Sequence, residues 1–339
     1  MKMMKRAAVA VSLVAAGGLL AGCAAGSPSG NGDGDAAESM TIRVSHVEPS
    51  DSITHKALEE VAERVSERTD GNLVLEIYPD GQLGTTTDIL EQSASGETII
   101  GYVDAASLAA LGAKQMDILG GPFLFESTEQ AQTFHESDMF AGMVDELAEN
   151  ADVRVLALNY FLGTRNILGA DGYPEPSDLE GVKLRTPPIE TWTRTFELVG
   201  AVPTTVEYTE AYSALEQGVV SAAESDINSF PSTKWYEAVK HLTLTHHFQL
   251  FLGFAMNEQA FQDLSDEYRQ VLIEEFSQGG IDSTQVNIDN EAASIALLEE
   301  NGVTVHEANL AAYRDATAPF YDGYEAGFLE KVREAAGMK

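Results

Sequence analysis

The sequence predicts an α/β protein built as two lobes. Strand-type and helix-type hydrophobic periods alternate along the chain, the pattern of βαβ units and parallel sheets. The stretch Gly181–Asn228 repeats that alternation in miniature. About 300 residues follow the N-terminal segment, too many for one compact core, so two domains are expected.

The first residues read as an address. Lys2, Lys5 and Arg6 form a basic start, and Ala7 to Leu19 an apolar run of small residues. That run falls short of the ~20 residues a membrane span needs and fits a signal peptide over residues 1–22. It ends in Leu20-Ala21-Gly22-Cys23, which resembles the lipobox of bacterial lipoproteins. The resemblance implies cleavage before Cys23 and a lipid on its sulfur; the alternative is an ordinary signal peptide with an incidental cysteine. Cys23 is the only cysteine, which excludes disulfides within the chain, Cys-based metal sites and a thiol nucleophile in the folded body. Residues 23–39 are mostly Gly, Ser, Ala and Asp without periodicity, a flexible tether spanning on the order of 20–25 Å.

Charge narrows the partners. The chain carries 54 acidic and 20 basic residues, and losing the signal segment removes three of the basic ones. A chain this acidic lacks the basic face that nucleic acid or anionic lipid requires. Such a surface stays soluble in strong salt and suggests a saline habitat. The melting temperature should therefore rise with added salt; one that ignores or falls with salt would count against this reading.

In the body, Thr41 to His46 alternates as a strand, and Ala57, Leu58, Val61, Ala62 and Val65 mark an amphipathic helix. Asn72 to Tyr78 returns to alternation and closes on the turn Pro79-Asp80-Gly81. A short helix through Ile89-Leu90 ends at Gly96, and a strand from Thr98 to Val103 delivers Asp104. Strand, helix, strand, helix, strand predicts a parallel sheet with right-handed crossovers. Ser127 and Gln130 resemble a capping box opening a helix whose apolar stripe ends at Leu147. A strand spans Val153 to Leu158, and Tyr160-Phe161-Leu162-Gly163 reads as the crossing into the second lobe.

Within Gly181–Asn228, the run Val182 to Leu184 delivers Arg185 to a strand end that Pro187-Pro188 terminates. A helix with Ile189, Trp192, Phe196 and Val199 on one face follows. A further strand, helix and strand end at Glu224-Ser225-Asp226. Sheets of this class bind ligands beyond the carboxyl ends of their strands. Arg185 stands there with a planar fork suited to a carboxylate; the alternative is a surface salt bridge. Leu242 to Leu252 reads as a strand returning to the first lobe. From Asp266 to Leu298 the pattern gives long helices interrupted near Gly279-Gly280, and a helical tail from Ala311 to Ala336 finishes the second lobe.

Five stretches in order carry a specific resemblance. They are HVEPSDSITHKALEEVAERVSERTDGNLVLEIYPDGQLG (His46–Gly84), PFLF (Pro122–Phe125), GTR (Gly163–Arg165), DLEGVKLR (Asp178–Arg185) and GAVPTTVEYTEAYSALEQGVVSAAES (Gly200–Ser225). Together they resemble the solute-binding proteins of TRAP, the tripartite ATP-independent periplasmic transporters, over nearly the whole body. The resemblance implies a two-lobed, periplasmic-binding-protein-like (Venus flytrap) α/β fold with a hinge cleft and a long helix spanning both domains. The domains would be residues 40–161 plus 251–290, and 162–250 plus 291–339. It implies a receptor, not an enzyme, without cofactor or metal. The receptor would take a small carboxylate-bearing organic acid and pass it to the TRAP permease, from the outer face of the cell membrane.

Residue by residue, the resemblance assigns the ligand carboxylate to Arg185, from the motif Lys183-Leu184-Arg185. It gives a second arginine contact to Arg165, unless Arg165 instead holds a loop carbonyl or a carboxylate of the second lobe. Where the family often has asparagine after the residue matching Glu224, this chain has Ser225, shorter and with a single donor. Tyr208, Tyr102, Asp104 and Trp192 fall at or near cleft-lining positions, the aromatics otherwise being core.

Two other classes share parts of this pattern. An ATP-driven importer's binding protein shares the lipobox and the lobes, and a surface-anchored hydrolase shares the tether. The chain has no P-loop, GxSxG elbow or HExxH. His241, His246 and His247 could suggest a metal. If Leu242 to Leu252 is a strand, however, His246 and His247 point to opposite faces and cannot share an ion.

Overall fold

A computed structural model describes residues 39–338. The signal segment, Cys23 and the tether through residue 38 lie outside the described residues. Strands β1 (Met40–Ser45), β2 (Leu73–Tyr78) and β3 (Ile99–Asp104) pair in parallel, with β1 between the other two. Their crossover helices form as the periods predict. Ser52 caps the helix Ile53–Arg68 by accepting from the His55 N–H, and Ala57, Leu58, Val61 and Val65 are buried beneath it. Thr85 and Asp88 cap each other's backbone at the start of the helix Thr86–Ala94.

The other strands are β4 (Val153–Gly169), β5 (Lys183–Thr186), β6 (Val202–Thr205), β7 (Ala222–Asp226), β8 (His241–Leu244), β9 (Gln249–Asn257) and β10 (Thr304–Glu307). They complete a ten-stranded sheet ordered β2-β1-β3-β9-β4-β7-β5-β6, with β8 also on β4 and β10 on β8. Strand β4 joins the two halves. Up to Thr164 it pairs antiparallel with β9, and from Arg165 it pairs antiparallel with β7. Gly163, at φ +121°, lies at the change of partner. One apolar cluster runs through both halves, putting Ile42, Val44 and Leu58 in a common core with Leu184, Trp192 and Phe196. Each half also has a buried cluster of its own, around Phe134 and Phe140 in the first and around Phe230 and Trp235 in the second.

Four expectations are corrected. The segment expected as one strand from Leu242 to Leu252 is two, β8 and β9, separated at residues 245–248, where His246 takes φ +45°. The helix expected to run from Ser127 to Leu147 is two, Thr128–His135 and Asp138–Ala151, because Ser137 caps a second start. Ser127 does cap the first, but Gln130 Oε1 accepts from the Glu126 N–H rather than from the cap.

The third correction concerns Gly279-Gly280, which interrupt nothing: one helix runs from Asp266 to Glu300, 35 residues or roughly 52 Å. These glycines let it lie close on β4. A Cβ on Gly280 would sit 2.0 Å from Asn159 Oδ1, and one on Gly279 would sit 2.4 Å from Val61. The helix is tied along its length. Arg64 and Arg68 clasp Glu275 at 2.6 and 2.7 Å. Thr284 Oγ1 donates to the Asn159 carbonyl at 3.1 Å, and Leu298 packs with Phe230 and Trp235 on the far side. It thus spans both halves of the sheet.

Fourth, the C-terminal tail does not close on the second half throughout. Val332 of the helix Phe328–Ala335 packs with Phe134 and Phe140 against the β3–β9 side.

Candidate functional site

The carboxyl ends of β1, β3 and β5 converge with the loop after β6 on a cavity of about 90 Å³. By the ~10–15 Å³ a single water requires on the same measure, it has room for a small molecule. Its walls include Glu48, Tyr102, Asp104, Arg165, Arg185, Trp192 and Tyr208.

Arg185 is the residue the cavity is built around. The parallel register of β5 with β6 and β7 carries it to the strand end, where Pro187 and Pro188 turn the chain away. Only 2 % of it is exposed, its Nε donates to the Val206 carbonyl at 2.7 Å, and its guanidinium lies 5.6 Å from the Tyr208 ring centroid. Among the described residues it makes no ion pair. Burial lowers its pKa to about 10, with Glu224 opposing and Arg165 assisting the shift, so it remains charged at neutral pH. A buried charge without a counter-ion is costly, and an incoming anion removes that cost.

Arg165 is held differently. Its Nε and Nη2 grip both carboxylate oxygens of the fully buried Glu224, and Nη2 also reaches the Glu224 carbonyl at 2.9 Å. Trp192 Nε1 donates to Glu224 Oε1 at 3.0 Å, and His247 Nε2 lies 3.4 Å from Oε2. Burial alone would raise the Glu224 pKa. The Arg165 charge and the hydrogen bonds from His247 and Arg165 outweigh it and hold the carboxyl down to about 2. The carboxylate alternative considered for Arg165 is thus present, although Arg165 still borders the cavity.

Asp104 also lines the cavity, but its Oδ1 accepts from the N–H groups of Ala106 and Ser107 and caps the short helix Ala105–Ala109. Burial raises its pKa. Tyr102 and Tyr208 each donate to Glu48, both at 3.1 Å. Six of the residues singled out from sequence therefore meet at one cavity. Glu224 and Ser225 do not line it. Glu224 is consumed by Arg165, Trp192 and His247. Ser225, on the opposite pleat of β7, is buried with its Oγ 3.4 Å from Asp226 Oδ2.

Sequence reasoning missed several wall residues, among them Ser107, Glu207 and the deeply buried Glu48. Glu48 is the one that the cavity's two tyrosines meet. It sits just past the carboxyl end of β1, so the strand-end rule that picked out Arg185 applies to it equally. The three histidines weighed as metal ligands go separate ways. His241 Nδ1 is 2.9 Å from His306 Nε2, His246 Nδ1 2.7 Å from Thr164 Oγ1, and His247 turns to Glu224.

Comparison with known proteins fits this geometry. Residues 44–327 match the family model described as bacterial extracellular solute-binding protein, family 7. The chain is 25% identical over 281 residues to the sialic acid-binding periplasmic protein SiaP of Vibrio cholerae, covering 83% of this chain and 87% of that one. It is 29% identical over 252 residues to the 2,3-diketo-L-gulonate-binding periplasmic protein YiaO of Escherichia coli, covering 74% and 76%. It superposes with TM-score 0.84 and 31% identity on a TRAP periplasmic solute binding protein of Fusobacterium nucleatum crystallised with sn-glycerol-3-phosphate, over 88% of this chain and 97% of that one. The chain belongs to bacterial extracellular solute-binding protein family 7, the solute-binding proteins of TRAP transporters.

Proposed function

We propose that this chain is an extracytoplasmic receptor that takes a small organic acid into the cavity between its two sheet halves and delivers it to a TRAP permease. The single observation that carries the reading is Arg185, buried at the cavity wall with no ion pair among the described residues. Its fork holds the ligand carboxylate in paired, charge-assisted hydrogen bonds. Arg165 serves as a wall residue already neutralised by Glu224, while Tyr102, Tyr208, Asp104 and Trp192 shape the remainder. Glu224 acts at one remove, by holding Arg165 and Trp192.

The lobes, residues 40–161 plus 251–290 and 162–250 plus 291–339, close about the crossings at Gly163 and residues 245–248. The stretch packed beside Phe134 moves with the first lobe. Cys23 carries the lipid and residues 24–39 the tether, which keeps the receptor at the outer face of the membrane.

A second reading is favoured by the Fusobacterium relative, whose bound molecule is a phosphate ester. A guanidinium fork suits phosphate as well as carboxylate. A thermal-shift screen of the purified protein against organic acids and phosphate esters tests both. A ligand at 100 times its dissociation constant adds about 2.7 kcal/mol to stability. A shift with carboxylates supports the first reading and a shift with phosphate esters alone the second. No shift with either class contradicts the receptor account.

A further inference from the structure

The cavity has a second pole. Glu48 lines it while only 4 % exposed, and its two carboxylate oxygens each take one phenol, Tyr102 on Oε1 and Tyr208 on Oε2. An ionised carboxylate offers about four lone-pair sites, so about half of its accepting capacity is unused. Of the other acids, Glu207 lines the cavity on the Arg185 side and is half-exposed, and two more are occupied by structure. Asp104 caps the helix after β3, and Asp226 accepts from the backbone N–H and the hydroxyl of Ser229 at 2.9 and 2.7 Å. Glu48 has only side-chain partners.

Its backbone is fixed nonetheless. The Glu48 carbonyl accepts from Asp80 N and the His46 carbonyl from Gly81 N, both at 3.0 Å. Asp80 and Gly81 both adopt left-handed φ in that turn. Tyr102 comes from β3 in one sheet half and Tyr208 from the loop after β6 in the other, so Glu48 stands where the halves meet.

We propose that Glu48 is the specificity-determining residue of this receptor, accepting a hydrogen bond from a hydroxyl or amine that the ligand carries apart from its acidic group. The proposal rests on the receptor reading above and deepens it to a ligand class: hydroxy and amino acids, to the exclusion of dicarboxylates and unsubstituted acids. A dicarboxylate would set its second charge against Glu48 with Asp226 behind it, and like-charge juxtaposition is how binding sites reject near relatives. An unsubstituted acid would cover Glu48 without meeting its lone pairs.

The charge state follows from the surroundings. Burial and the Asp226 charge raise the Glu48 pKa to about 7, against the hydrogen bonds from Tyr102 and Tyr208 and the charge of Arg165. Glu48 accepts a donor best when ionised. Affinity for a hydroxy acid should therefore climb as pH rises through about 7, a range in which the ligand's own carboxyl does not titrate.

The test is calorimetry on the purified protein with glycerate, gluconate, glucuronate, alanine, succinate and butyrate, for wild type, Glu48→Gln and Arg185→Ala. The tightest ligand should carry a hydroxyl or amine. Glu48→Gln should weaken it by about tenfold or more, the size of one hydrogen bond to a charged group, and narrow its lead over succinate. Should Glu48→Gln fold poorly, the wild-type pH profile decides alone, a flat profile for the hydroxy acid overturning the proposal. Succinate or butyrate binding tightest, or an unchanged preference in Glu48→Gln, also overturns it. If Arg185→Ala abolishes binding in those cases, the receptor reading stands without Glu48. If none of the six acids binds wild type, this ligand class is overturned, while the receptor reading is judged by the wider screen.

Discussion

Replacing Arg185 by alanine should weaken acid binding by roughly 2–5 kcal/mol, most of it from leaving the ligand's buried anion unpaired. Calorimetry with the tightest ligand measures it. Lysine should rescue little, since a point charge cannot reproduce the two-pronged contact. The ligand-free protein should keep its melting temperature or gain slightly, because the substitution removes a buried charge that has no counter-ion. A purely structural arginine would behave in the opposite way, losing stability and leaving binding intact. The chain's 54 acidic residues do not oppose the contact. Charges farther than about 8 Å are screened at physiological salt, whereas one inside a closed cavity is not.

Breaking the Arg165–Glu224 pair should instead destabilise the fold. Either Arg165→Ala or Glu224→Ala should cost about 3–5 kcal/mol in a denaturant melt, because each leaves its partner charged and buried. The pH dependence has a definite sign. The folded pKa of Glu224 is depressed to about 2 from an ordinary 4.5. Its contribution is therefore fully present above 4.5 and disappears as pH falls from there towards 2. Melts of wild type between neutral pH and pH 2 should show that loss, and Glu224→Gln should flatten it. Wild type and Glu224→Gln losing stability in parallel would contradict the assignment.

Much of this was legible in the chain. The βαβαβ opening announces itself because its crossover helices are amphipathic and its turns carry Pro79, Asp80 and Gly81. The gathering of Arg185, Arg165, Tyr102, Asp104, Trp192 and Tyr208 was also foreseeable, since strand ends and family resemblance point the same way. The misreadings have physical causes. Gly279-Gly280 resembles a helix break because glycine is a poor helix former, and only β4 lying against it reveals a close contact. The strand expected to stop at Leu158 continues to Gly169, because β4 is buried on both faces there and loses the alternation that marks a strand. His246 and His247 sit in a bend that no period records. The pairing of Glu224 with Arg165 left no mark either, because sequence does not distinguish a carboxylate that meets a ligand from one that holds the arginine beside it.

The most direct test is a crystal structure with the tightest acid of the screen bound. The account predicts the ligand's anionic group within hydrogen-bonding distance of the Arg185 guanidinium, enclosed between the two sheet halves. An acid seated elsewhere, or one whose anion turns away from Arg185, would contradict it.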